Sequence, residues 1–340
     1  MMKKQAGNLR KCCAGICMAL CFLFVFTGTG CDLNFSGSED SVETEEEVVH
    51  EKAAIIESDT VTGKSPVIAV GETTITYDEY KAYYYFMSSQ YETLLTDDVW
   101  RYKTENDKTI GQEAIEETLR LIIQVKVICK EAKRAGVELE ADEKEDADYA
   151  ATQYLKDVSS SDKKNNGLSE DIITGIFEEN KLAQKMYNVV AGEVETSDVS
   201  GAIAYKTQLI FKKKGDDAEK VRQKMEELKK EIASSEKSFY TYAISESEAD
   251  DIETIVGSLD ERKNLYNTVT VTKNNVVSQV VEEDDGYYLA LILEKPNDEL
   301  NTEYINDVIS TRQTKAFQTS YDGWSENYDV EVSDLLLSSQ

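Results

Sequence analysis

Catalysis needs groups that move protons, hold metals or attack bonds, and this sequence is short of them. Its 340 residues contain one histidine, His50, inside the acidic stretch "SVETEEEVVHEK". No Ser-His-Asp or Cys-His arrangement can then be assembled in the folded part, and no histidine-rich metal site either. Of six cysteines, five fall at or before Cys31, which leaves Cys129. One thiol makes neither a thiolate zinc site nor an intramolecular disulfide. Cys129 lies on an apolar helical stripe and reads as a small buried hydrophobe. The 66 acidic residues single out no carboxylate pair for glycosidic chemistry. No glycine-rich phosphate loop is present. Neither a metal nor a cofactor is expected. Tyrosine, by contrast, is plentiful: of nineteen, six cluster at Tyr77, Tyr80, Tyr83, Tyr84, Tyr85 and Tyr91. Spacings of 3 and 4 align Tyr77, Tyr80, Tyr84 and Tyr91 on one helical stripe. Such a stripe packs into a core, or offers apolar area with polar tips to extended chains. On the second reading Tyr77, Tyr80 and Tyr84 are candidate peptide-binding residues.

The balance of charge excludes one class of partner. The formal net charge is −29, and loss of Lys3, Lys4, Arg10 and Lys11 would take it to −33. Nucleic-acid binding is disfavoured, since phosphate contacts need clustered Lys and Arg. The charge also keeps a chain soluble and off anionic lipid.

Residues 1–31 have the form of an export signal: a basic start, an apolar run from Cys12 to Phe26, then "TGTGC". The run is shorter than the roughly 20 residues of a spanning helix. The ending resembles the lipobox of bacterial lipoproteins, although Gly28 stands where Leu is usual. The resemblance implies lipidation of Cys31, with two acyl chains sufficient for stable anchoring. The protein would then be lipid-anchored to the cell membrane, facing the extracytoplasmic side. Residues 32–65 are acidic and poor in aromatics, which predicts a disordered tether.

Folded sequence begins at Pro66. "VIAV" and "TTI" read as two short strands, and a helix starts at Thr76 to Asp78. A helix over 112–134 carries Ile115, Leu119, Ile122, Val125 and Cys129 on one face, and Gly136 stops it. Helices follow over 141–157 and from the Ser169 cap to about Val190, with "SSSDKKNNG" breaking the chain between them. Near residue 200 the pattern changes. "AIAYKTQLIF" reads as a strand. A helix with the stripe Ala218, Val221, Met225, Leu228 and Ile232 comes next. "TVTVT" alternates as a strand, and "VVSQVV" and "YYLALILE" form a hairpin whose Asp285-Gly286 turn supplies positive φ. Alternation puts Tyr288, Ala290 and Ile292 on one face, and Tyr287, Leu289 and Leu291 on the other. A helix over about 302–326 and the strand "DVEVSD" end the chain.

"VIAVGETTITYDEYKAYYYF" and "TLRLIIQVKVICKEAKRAGVELEADE" resemble the N-terminal chaperone region of SurA- and PrsA-type foldases. "TQLIFKKKGDDAEKVRQKMEELKKEI", "SFYTYA" and "NNVVSQVVEEDDGYYLALILEK" resemble the first and last thirds of a parvulin peptidyl-prolyl isomerase domain. The likeness covers most of 66–334 and is poorest over 244–268. It implies an α+β fold: a mostly helical SurA-like chaperone domain, from the N-terminal region plus the C-terminal helix, with an inserted parvulin-like α+β domain. The implied divisions are the signal at 1–31, the tether at 32–65, the helical domain at 66–198 and the parvulin-like domain at 199–297. The C-terminal helix and strand at 298–340 would pack on the chaperone domain. In that family both pocket positions are histidine. Here they fall on Gln208 and Tyr288, and the acidic or thiol position falls near Ala249 to Asp251. A proline-bond isomerase needs no nucleophile, only an apolar grip that favours the twisted amide. Gln208 and Tyr288 are therefore the degenerate catalytic candidates.

The function implied is a membrane-anchored chaperone binding unfolded or partly folded exported polypeptides, with isomerase activity weak or lost. A non-catalytic interaction lipoprotein with one specific partner is the alternative. A two-lobed transporter-binding lipoprotein is disfavoured by the helical half at 112–190.

Overall fold

The computed structural model describes residues 61–94, 97–104, 108–215 and 217–338. The expectations for the signal, Cys31 and most of the tether fall outside the described residues. The fold is α+β, as the resemblance implies, and divides into two compact units. One takes the chain up to Glu193 and resumes at Thr314, and Val194–Gln313 forms the other between them.

In the first unit β1 (Pro66–Val70) and β2 (Thr73–Thr76) form an antiparallel hairpin. Gly71 turns it at φ +55°, a region that an L side chain enters only with strain. β7 (Val330–Val332) pairs on the other edge of β1, so the first and last strands among the described residues share one sheet of order β2-β1-β7. α1 (Tyr77–Leu94) follows. α2 (Ile110–Arg134) opens on a capping box, in which Thr109 Oγ1 accepts from Gln112 N and Gln112 Oε1 accepts from Thr109 N. α3 (Ala141–Asp157) and α5 (Glu170–Gly192) pack side by side, joined by Lys181–Asp146 and Lys185–Glu143 ion pairs. The stretch expected to break the chain does so only in part. Ser159 caps a short helix, α4 (Ser160–Asn165), before Gly167 turns the backbone at φ +67°. The core of this unit gathers Ile68, Ile75, Tyr83, Leu119, Ile122, Ile128, Ile173 and Phe317.

In the second unit β3 (Ala204–Lys213) and β6 (Gly286–Glu294) are the central strands of an antiparallel sheet of order β4-β3-β6-β5, with β4 Glu253–Gly257 and β5 Val281–Glu282. α6 (Ala218–Ser234) and α7 (Phe239–Glu246) cover one face. α8 (Lys263–Val271) covers the other. Two expectations change here. "TVTVT" is the end of helix α8 rather than a strand. Its buried residues Leu265, Thr268 and Val269 fall 3 and 1 apart, so one helical face meets the sheet, and packing overrides β-branched preference. Gly286 is not at positive φ. The glycine is needed for a close approach, because a Cβ there would enter the Lys212 carbonyl and the Phe211 ring.

α9 (Asp298–Ser325) begins in the second unit and ends in the first. Its Leu300 and Tyr304 pack with Ala202 and Ala204. Arg312 grips Asp198 through two bonds of 2.6 and 2.8 Å. Further along, Phe317 and Trp324 join the core of the first unit. A short helix, α10 (Asp334–Ser338), ends the described chain. No helix among the described residues is long and apolar enough to cross a membrane.

Candidate functional site

The register of β3 on β6 decides what shares the face of Tyr288. It pairs Thr207 with Ile292, Gln208 with Leu291, Leu209 with Ala290 and Phe211 with Tyr288. Partners across an antiparallel ladder point to the same side, and neighbours along a strand to opposite sides. Tyr288 therefore faces with Phe211, Leu209, Ala290 and Ile292, in one buried cluster with Val256 of β4 and Leu265 and Val269 of α8. The alternation read from "YYLALILE" matches this: Tyr287 and Leu289 pack in the opposite cluster, with Leu291 against it.

Gln208 and Tyr288 are not brought together. Gln208 shares its face with Leu291, and its amide donates to Glu253 Oε1 at 2.9 Å, across the ladder to β4. Thr207 is the residue on the Tyr288 side. It is fully buried, and its hydroxyl donates to Thr254 O at 3.0 Å. The pairing shifts between Lys206 and Thr207, an irregularity that no residue type announces.

Tyr288 is tightly held. Its ring lies 4.7 Å from that of Phe211, and its hydroxyl donates to Asp285 Oδ2 at 2.6 Å. The Arg262 guanidinium sits 5.6 Å from the ring centre and is itself bound to Asp260 at 2.6 and 2.9 Å. Burial first, then the Asp285 carboxylate, raise the phenol well above its ordinary value, against the pull of Arg262. Tyr288 is therefore neutral, with its proton committed to Asp285. Of the stretch Ala249 to Asp251, Ala249 packs against the cluster, whereas Asp250 and Asp251 are exposed. Tyr288 is 4% exposed, and Leu265 and Val269 are fully buried. Side chains of β3, β4, β6 and α8 fill this face of the sheet.

In the first unit, Tyr77, Tyr80 and Tyr84 form a ladder along α1, with consecutive rings stacked at 6.3 Å. Tyr80 is buried in the core. Tyr77 and Tyr84 flank it half-buried, and Lys81 Nζ lies 5.1 Å from the Tyr77 ring centre. The side chain of Tyr91 is outside the described residues.

One polar cluster escaped the sequence reading. Lys126 of α2, with a side chain 8% exposed, reaches Glu79 of α1 at 2.6 Å and Glu179 of α5 at 2.5 Å. Tyr83 donates to Glu179 Oε2 at 3.3 Å, and the Cys129 thiol donates to Glu179 O at 3.4 Å. Burial, reinforced by Glu179, pushes that thiol up to about 12. A signal was present: Lys126 follows Ile122 by four and precedes Cys129 by three, inside the apolar stripe. Among the described residues no group of three or more His, Cys, Asp or Glu is arranged to hold a metal ion.

No family model matches the sequence, and no curated protein matches it. Solved structures with similar chain paths exist. A PrsA peptidylprolyl isomerase from Bacillus anthracis is 18% identical, over 60% of this chain and 96% of that one, with a TM-score of 0.38. A PrsA peptidylprolyl isomerase from Bacillus cereus is 13% identical, over 82% and 93%, with a TM-score of 0.34. A SurA-like chaperone from Campylobacter jejuni is 14% identical, over 78% and 98%, with a TM-score of 0.29.

Proposed function

We propose that this protein is an extracytoplasmic chaperone of the foldase type, moored through a lipid on Cys31, that holds unfolded exported polypeptides without turning over their proline bonds. The observation that carries the reading is the filled sheet face. Tyr288, Phe211, Leu265 and Val269 occupy the side on which a proline pocket is expected, and Gln208 lies on the other. Gripping and twisting a prolyl amide needs an apolar recess with a polar group aimed into it. Tyr288 instead spends its hydroxyl on Asp285.

Holding has no such demand. The half-buried rings of Tyr77 and Tyr84, stacked on either side of Tyr80, offer flat apolar area with polar tips. Contacts of that kind are weak and tolerant of sequence.

The test is aggregation of several unrelated unfolded proteins in the presence of the full chain, run beside a proline-limited refolding assay. Suppression of most clients with an uncatalysed refolding rate is expected. Binding to one folded partner alone, or catalysed refolding, overturns the reading. Mooring is read separately, by metabolic incorporation of a labelled fatty acid that Cys31→Ser abolishes.

A further inference from the structure

The cluster around Lys126 has no part in the function proposed above. It joins three helices: Glu79 and Tyr83 come from α1, Lys126 and Cys129 from α2, and Glu179 from α5. Two carboxylates share one buried ammonium, so the cluster carries one uncompensated negative charge. α3, which also packs on α5, pairs Asp146 with Lys181 and Glu143 with Lys185, and its Asp148 accepts from Thr174. On the next residue, Asn180 Oδ1 is buried with no hydrogen-bond partner, so this stretch of α5 is held by polar contacts that are incompletely met. Buried polar groups that are partly satisfied are costly, and a change of one charge is felt there.

We propose that Glu79, Tyr83, Lys126 and Glu179 form a proton-responsive clasp that holds α5 against α1 and α2 more firmly as the surroundings acidify. The direction follows from the charge. A proton taken up by Glu179 leaves a neutral Lys126–Glu79 pair and removes the excess negative charge from a poorly solvated seam. Burial, and next in this direction the charge of Glu79, raise the Glu179 carboxyl above its ordinary value, while Lys126 and the Tyr83 hydroxyl oppose that rise. A raised acid contributes stability that is complete below its unfolded value and is lost as pH climbs through its folded value. The other members agree in sign. The Lys126, Tyr83 and Cys129 groups are all raised, so each favours its protonated form in the fold. Glu179 is the only one of these four whose ordinary value is acidic, so it is the first of them to give up its proton as pH climbs.

Hydrogen exchange over residues 170–192 of the full chain reads the clasp directly. Labelling times are scaled to cancel the intrinsic pH dependence of exchange. Between pH 5 and pH 8 the opening constant of α5 is expected to rise, by at most about tenfold for each unit by which Glu179 is raised. Glu179→Gln, which mimics the protonated acid, should abolish that rise and leave α5 no less protected than in the parent at pH 8. Glu79→Gln, which removes the excess charge by another route, should flatten it too and serves if the first variant misfolds. Glu145→Gln, on the exposed side of α3, should keep the parent's slope. A parent with no pH dependence, or a Gln variant at Glu179 or Glu79 that retains the full slope, overturns the proposal.

Discussion

Restoring two imidazoles at Gln208 and Tyr288 should not produce an isomerase. Gln208 is opposite Leu291, three residues from Tyr288 along β6. Three residues are about 10 Å of strand, and the odd offset sends the two side chains to opposite faces. Imidazoles placed there would be separated by at least about 10 Å with backbone between them, against the roughly 3 Å that a proton relay requires. Phe211→His with Tyr288→His is the instructive contrast. These residues are direct ladder partners with rings 4.7 Å apart, so their replacements share one face. Loss of the tilted ring pair costs about 0.5–1.5 kcal/mol on top of the buried area it removes. Proline-limited refolding, with circular dichroism to confirm folding, checks both pairs. The Gln208/Tyr288 pair should match the uncatalysed rate. A rate increase from that pair, absent from the Phe211/Tyr288 pair, would refute the register argument.

Three other perturbations test particular contacts. Lys126→Met strands two carboxylates near the core, where breaking a buried pair costs roughly 3–5 kcal/mol; about 3 kcal/mol is expected, since Glu79 and Glu179 keep 19% and 28% of their side-chain surface. Calorimetry of the full chain should show a fall of roughly 6–12 °C in the transition of the helical unit, and a fall under about 2 °C contradicts the assignment. Gly257→Ala drives a methyl into the Tyr304 ring, whose hydroxyl accepts from Leu259 N at 3.1 Å. Overpacking of this kind costs about 1–3 kcal/mol, and Tyr304→Ala in the same chain should recover part of it in urea unfolding; additive losses would refute the contact. Cys129, with its thiol pushed up to about 12, carries roughly one thiolate in ten thousand at pH 8. Alkylation followed by mass spectrometry should find it inert in the native chain and modified in denaturant, and rapid native labelling excludes a buried thiol.

Helix patterns could be read from the sequence because each helix brings its own evidence. The stripes through Ile122 and Met225 recur every three or four residues, and both residues are buried. Within β6, alternation alone divided Tyr288 from Tyr287 correctly. Across strands the evidence ends. Which β3 residue meets Tyr288 depends on register, and a one-residue slip exchanges every side chain between faces. The register that runs unbroken from Thr207 to Lys213 pairs Tyr288 with Phe211 and puts Gln208 on the opposite face, and no residue type along β3 announces it. "TVTVT" failed for a related reason: its alternation is local, whereas the burial of Leu265 and Val269 is decided by the sheet beneath. The Lys126 cluster shows the reverse case. A lysine within an apolar stripe is a local anomaly, and it implies buried acids elsewhere because an unpaired ammonium cannot stay in a core. Glu79 and Glu179 lie 47 and 53 residues away, too distant for any spacing rule to single them out among so many acids. What a sequence like this reveals about a site is therefore the demand for a partner. The identity of the partner belongs to the fold.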